Sequence, residues 1–167
     1  MKTLIAYSTT HGCTEKIVHQ MSNYLDGEVK LVNVKKHSYP ELSGFDRVII
    51  GGSIHAGHIQ KRVKEFCNEN LGELQKKELG LFITCMETGE TAQKQLTDAY
   101  PEELIGHAKI TAFFGGEFDF KRMNFFEKMI VKKVSQVKEN TSHVDLELVK
   151  KFTRRMDRIF NPFLFLA

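Results

Sequence analysis

Seven residues near the N-terminus, Ser8-Thr9-Thr10-His11-Gly12-Cys13-Thr14, carry four hydroxyls and a glycine directly ahead of a helical pattern. Hydroxyls and backbone N–H groups gathered at a helix N-terminus bind anions, and a phosphate dianion can sit there without a formal cation. A plain hydroxyl-rich helix cap uses the same residue types. Position separates the two readings: the loop follows the apolar run Leu4 to Tyr7, where open α/β sheets bind ligands. Rival phosphate chemistries lack their residues. No Gly-x-Gly-x-x-Gly follows that run, and there is no Walker lysine. Cys13 has no arginine behind it in the loop to hold a phosphoryl group, as a phosphatase nucleophile would need. A phosphoacceptor receiver would need acids where Ser8, Thr9, Gly51 and Gly52 stand. Cys13 reads as a small loop residue, although a helix N-terminus is a setting that can lower a thiol pKa.

Two further loops bear chemistry. Gly51-Gly52-Ser53-Ile54-His55-Ala56-Gly57-His58 offers glycines that let backbone approach a flat ligand, and His55 to stack on it or donate to it. His58 is expected to cap the following helix. Cys85-Met86-Glu87-Thr88-Gly89 makes the third loop. A glycine-rich turn alone is a weak signal; three such loops at one sheet edge make a strong one. Seven histidines show no metal-ligand spacing, so no metal is expected, and no residue stands out as an acid–base catalyst.

The elements that must position these loops follow from periodicity. Apolar runs at Leu4 to Tyr7, Val29 to Val34, Val48 to Ile50, Leu79 to Thr84 and Lys109 to Phe114 read as strands. Helical spacing joins Ile17, Val18, Met21 and Leu25, and again Ile59, Val63, Phe66, Cys67 and Leu71, stopped by Gly72. Further helices are predicted over 90–100, 122–138 and 145–160, the last with Leu148, Val149, Phe152, Met156, Ile159 and Phe160 facing inward. Two-sided apolar strands alternating with helices predict an α/β three-layer sandwich with a parallel sheet. Right-handed crossovers make five strands in the order 2-1-3-4-5 the natural arrangement, with ligands at the switch between the first and third. No repeat or Pro/Gly/Ser-rich linker interrupts the chain, so one domain over 1–167 is expected.

Three cysteines without a Cys-x-x-Cys spacing argue against a disulfide framework and for a reducing cytoplasm, and no stretch is long enough to span a bilayer. Net charge is +3 but unevenly placed: residues 121–138 hold six basic residues and one acid, Glu127, which leaves the rest of the chain at −2. On that segment Met123, Phe126, Ile130, Val134 and Val137 recur at helical spacing among the lysines. It reads either as a solvated charged face on a packed helix or as a contact for anionic lipid or tetrapyrrole propionates. The apolar Phe163-Leu164-Phe165-Leu166 could support membrane attachment, pack on the body, or bridge a homo-oligomer. No nucleic-acid partner is expected.

Together the three loops resemble those of the flavodoxin family. The pattern Ser-Thr-x-x-Gly-x-Thr at Ser8 to Thr14, one residue longer than the common flavodoxin loop, is more similar to the bacterial flavodoxin-type, menaquinone-dependent protoporphyrinogen dehydrogenases. Gly52-Ser53-Ile54-x-x-Gly57-His58 resembles them too, as do Gly115-Gly116 and the stretch Asn124-Phe125-Phe126-Glu127-Lys128-Met129-Ile130. The likeness runs along nearly the whole chain and is strongest at 3–66 and 112–133. It implies a flavodoxin-like fold and FMN as cofactor. By this resemblance Ser8, Thr9, Thr10, His11, Gly12, Cys13 and Thr14 would hold the FMN phosphate. Ser53, Ile54, His55, Ala56 and Gly57 would lie along the isoalloxazine ring, with Cys85, Met86, Glu87 and Thr88 on its other side and Gly116 and Asp119 nearby. A protoporphyrinogen dehydrogenase acting with a quinone is one implied function. A one-electron carrier with a redox-protein partner is the other. Electron-carrier flavodoxins are typically acidic, whereas this chain has a pI near 8.7, and basic groups such as His55, His58 and Arg122 would favour an anionic reduced flavin. That favours the enzyme, placed in the cytoplasm or peripherally at the inner face of the cell membrane.

Overall fold

Residues 1–119, 121–134 and 140–157 are described by a computed structural model. In chain order they form β1 (Lys2–Ser8), α1 (Cys13–Tyr24), β2 (Glu28–Asn33), β3 (Arg47–His55) and β4 (His58–Ile59). Next come α2 (Lys61–Glu69), α3 (Leu71–Leu74), β5 (Glu78–Thr84), α4 (Gly89–Ala99) and α5 (Glu102–His107). The described chain closes with β6 (Ile110–Phe113), β7 (Glu117–Phe118), α6 (Phe125–Val134), β8 (Thr141–Ser142) and α7 (Leu146–Asp157).

Five strands pair in parallel in the order β2-β1-β3-β5-β6. This is the flavodoxin-like topology that the alternating pattern predicts. Alternate residues of each strand face opposite layers. Leu4, Ala6, Val48, Ile50, Leu79, Leu81 and Ile83 join a core with residues of α2, α4 and α5. Ile5, Tyr7, Ile49 and Phe82 join the other, beneath α1 and α7. There Phe82, Phe114 and Phe152 meet ring to ring, with centroids 5.2–6.3 Å apart. At the far end of β3, the buried Arg47 side chain meets Asp157 at 2.6 Å and Glu78 at 3.6 Å, which ties the close of α7 to the starts of β3 and β5. Such a buried cation must be paired to be tolerated.

Several local expectations change. His58 does not open a helix: it pairs with His55 in the hairpin of β3 and β4, and α2 begins only at Lys61 after Gln60. Ile59 therefore reaches the core from a strand. Leu71 does so from the separate short helix α3, which contains Gly72 instead of stopping before it. α5 supplies a helix that periodicity does not reveal, and β7 with β8 forms a small antiparallel pair of its own. The basic helix opens at Phe125, later than expected, and is described to Val134, and α7 is described to Asp157. Val137 and Lys138, Ile159, Phe160 and the run Phe163 to Leu166 lie outside the described residues.

Candidate functional site

The first loop is a tight turn seated on the amino end of α1. Gly12 caps the helix in the left-handed region (φ 90°), a conformation that an L side chain resists. Its N–H donates to Thr9 Oγ1 at 2.9 Å, and its carbonyl accepts the Lys16 N–H at 3.0 Å. The opening N–H groups of any helix lack intrahelical partners, and here they face the side where the helix dipole favours an anion. Thr14 is fully buried and shares a 3.1 Å hydrogen bond with Thr84 at the end of β5. The Ser8 hydroxyl, equally buried, has no hydrogen-bond partner among the described residues. A buried orphan hydroxyl needs a polar ligand.

Cys13 sits in the α1–α7 core, and burial, helped by the nearby Glu117 carboxylate, pushes its thiol up to about 11. Its side chain is structural, as is that of Cys85, raised to about 11 by burial.

The hairpin between β3 and β4 carries the second loop. Its two-residue turn, Ala56-Gly57, has positive φ at both positions (48° and 82°), as two-residue hairpin turns require. Ala56 is there without glycine's freedom. Ser53 Oγ lies 3.0 Å from His55 Nε2. Gln60 then ties this loop together: its amide oxygen accepts the Ser53 N–H at 2.9 Å, and its NH₂ donates to Ser53 Oγ and reaches Thr10 Oγ1 at 3.5 Å. Gln60 thus joins the second loop to the first. Sequence reasoning misses it, because a helix read from Ile59 makes Gln60 one of its ordinary polar residues. Ile54 differs from its neighbours in packing its side chain on the α2–α4 core.

The third loop follows β5. The Cys85 N–H donates to the Gly115 carbonyl at 3.2 Å, and a Cβ on Gly116 would press within 2.9 Å of the Cys85 backbone and Met86 Sδ. Gly116 therefore allows the two segments to touch. Thr88 caps α4 from an exposed position, and Glu87 is exposed beside it. A hollow of about 610 Å³ lies beyond this loop, between Gly89, Gln93, Thr97 and Phe113.

A fourth segment closes over the first loop. Arg122 Nη1 donates to the His11 carbonyl at 3.2 Å and stands so close that a Cβ on Gly12 would overlap it. Asp119 acts through Arg122, pairing with it at 3.6 Å, and also accepts the Lys121 N–H. His11 Nε2 lies 3.1 Å from Glu127 Oε2, and its ring meets that of His55 edge-on at 5.7 Å. Glu127 also accepts the Asn124 N–H while Asn124 Oδ1 accepts the Glu127 N–H, both at 2.9 Å. This reciprocal pair is a capping box, a signature legible in Asn124-x-x-Glu127 that would have located the start of α6. The Asn124 N–H, then His11, hold the Glu127 carboxyl below its ordinary value. His55 keeps solvent on one side of its ring. Crowding on the other, with His11 next in weight, disfavours its cation and lowers its pKa.

Ser8, Thr9, Thr10, Gly12 and Thr14 thus meet Ser53, His55 and Gln60 at the carboxyl ends of β1 and β3, with His11 and Arg122 above them. A profile of the flavodoxin domain matches residues 4–145. The chain belongs to the flavodoxin-domain family. FMN is the cofactor of that family, and this flavodoxin-like oxidoreductase is a flavoprotein. The first loop fits the FMN phosphate, with an orphan buried hydroxyl and free helix-terminal N–H groups where the anion belongs. The protoporphyrinogen IX dehydrogenase [quinone] of Escherichia coli K12 is 23% identical, over 93% of this chain and 94% of its own length. Rubredoxin:oxygen oxidoreductase of Desulfovibrio gigas superposes with a TM-score of 0.61 at 21% identity, over 94% of this chain and 35% of its own, so this chain spans about a third of that protein. Flavodoxin 1 of Bacillus cereus superposes with a TM-score of 0.58 at 12% identity, over 93% of this chain and 97% of its own. These two structures speak for the fold alone. Among the described residues no helix is long and apolar enough to cross a membrane.

Proposed function

We propose that this flavodoxin-domain protein is an FMN-dependent dehydrogenase that oxidises protoporphyrinogen IX and delivers the electrons to a quinone. The observation that carries the reading is the Arg122 guanidinium lying over the first loop against the His11 carbonyl. A positive group there favours an anionic reduced flavin and so two-electron chemistry. The likeness to the dehydrogenase from E. coli along almost the whole chain supports it.

FMN, when bound, would supply a two-electron acceptor for hydrogen removed from a reduced substrate. The chain's part is binding and orientation. Ser8, Thr9, Thr10, Gly12 and Thr14, with the N–H groups of His11 and Cys13, would hold the phosphate. Arg122 would add a cation beside it. Ser53, Ile54, Ala56 and Gly57 would flank the ring, with Gln60 keeping their loop against the first. Cys85, Met86, Glu87 and Thr88 would close the opposite side, with Gly116 giving them room and Asp119 aligning Arg122. His55, kept neutral by its crowded setting, is the group at this edge able to take up a proton.

The test is anaerobic turnover of protoporphyrinogen IX with a menaquinone analogue, followed by porphyrin fluorescence. The expected result is quinone-dependent porphyrin formation that stops when FMN is stripped and resumes when it is restored. No turnover, with rapid one-electron exchange to a ferredoxin-type partner, would make the chain a carrier instead.

A further inference from the structure

Of the six large hydrophobic residues most open to solvent among the described residues, four lie on α6: Phe125 (71% exposed), Phe126 (73%), Met129 (53%) and Ile130 (62%). At 3.6 residues per turn these four fall on one side of the helix, while Glu127 and Val131 turn toward the body. Glu127 is held there by His11. The orientation is therefore fixed by a polar contact that leaves the apolar side outward. Lys133 is exposed on that same side, one turn beyond Met129 and Ile130, Lys132 is exposed at its edge, Lys128 is half-buried next to it, and Lys121 is exposed just ahead of the helix. Among the described residues, Lys128, Lys132 and Lys133 have no acidic partner within salt-bridge distance.

We propose that α6 is a docking face for an anionic lipid bilayer, lying in the headgroup region with Phe125, Phe126, Met129 and Ile130 buried and the lysines on lipid phosphates. An apolar stripe bordered by lysines is the pattern of interfacial helices, and each lysine near an anionic surface adds attraction. These four side chains stand open to solvent, whereas small ligands are bound in concavities that bury most of their surface. The face thus suits an extended partner, and the uncompensated lysines specify a negative one. Docked this way, α6 lies between the bilayer and the first loop, which it meets through Glu127 and His11. The docking does not depend on which substrate the flavin serves.

Flotation of the holoprotein with vesicles of equal parts phosphatidylglycerol and phosphatidylcholine tests this against vesicles of phosphatidylcholine alone. Binding should appear only with the anionic vesicles and weaken steeply as salt is raised. Lys128→Gln, Lys132→Gln and Lys133→Gln together should lower it more than about tenfold at low ionic strength. Phe125→Ser with Phe126→Ser should lower it at least as far, with bound flavin unchanged as the check on folding. Absence of binding by the unaltered protein, or equal binding to neutral vesicles, overturns the proposal. So does loss of binding in Phe163→Ser with Phe165→Ser but not in the α6 variants, which would place the contact at the C-terminus. A concentration-dependent dimer dispersed by the Phe125 and Phe126 changes, with no vesicle binding, would assign the face to a second copy of the chain.

Discussion

α6 and α7 are built from similar ingredients and come out opposite. α7 has Lys150, Lys151, Arg154 and Arg155 on one side, and Val149, Phe152 and Met156, all at 0% exposure, against the sheet. α6 has Lys128, Lys132 and Lys133, yet its two phenylalanines point to solvent. The difference lies in spacing. The apolar residues of α7 recur at intervals of three and four, giving one stripe that a sheet can cover. Those of α6 fall at 125, 126, 129, 130, 131 and 134, a band too wide for one neighbour to cover. Its capping box and Glu127 then decide which part turns inward. Composition alone does not orient a helix; where apolar residues surround it, one polar contact can.

The sharpest way to break this comparison is to truncate one aromatic on each helix. Phe152→Ala should destabilise the fold by about 3–5 kcal/mol in denaturant unfolding, since it opens a cavity against Phe82 and Phe114. Phe126→Ser should stay within about 0.5 kcal/mol, as exposed substitutions do. Equal losses would mean that α6 is packed after all. Next in size is the loop that α6 touches. Thr14→Val or Thr9→Val should weaken FMN binding by about 1–3 kcal/mol in a fluorescence titration, the worth of a hydrogen bond to a charged group. Unchanged affinity in both would place the phosphate elsewhere. Glu127→Ala should cost less, about 0.5–1 kcal/mol of helix capping, and show as faster amide exchange in α6 with none in α7.

The smallest effect is a pH dependence. His55 has its pKa lowered from the ordinary 6.5, so on acidification the unfolded chain takes up the proton first. Stability is then lost as pH falls from about 6.5 to the lowered folded value, and His55→Gln should flatten that part of a melting-temperature profile. Glu127, also lowered, gives stability that is full above the ordinary carboxylate pKa and is lost further into acid, through its folded pKa. Glu127→Gln should flatten only that later limb. Identical profiles in both variants would deny the two groups their separate roles.

Much of this was legible in the residues. The five parallel strands, their order and the three loops follow from apolar runs that end in glycines and hydroxyls. The hairpin at Ala56-Gly57 was not, because Ile59, Val63 and Phe66 imitate a helical stripe while Ile59 reaches the same core from β4. The signal lay in the turn itself, two residues before a return strand. Arg47 gave no warning of its burial, since its partners Glu78 and Asp157 are distant in sequence. Arg122 and Glu127 are ordinary members of a basic segment until folding lays them on His11. The place of Cys13 at a helix start is visible in the sequence, whereas its depth in the core is not.

The contacts that His11 makes to Arg122 and Glu127 reach across 111 and 116 residues. His11 therefore leaves the ribosome more than a hundred residues ahead of its two latches. Contacts of such long range form late, because a large loop must close before they repay it. The first loop can therefore take its local shape on α1 before its cover exists, because that cover waits for Arg122 and Glu127. Uptake of the cofactor in a shielded form is thereby deferred until both have emerged, and a ribosome stalled before Glu127 would display an open cradle.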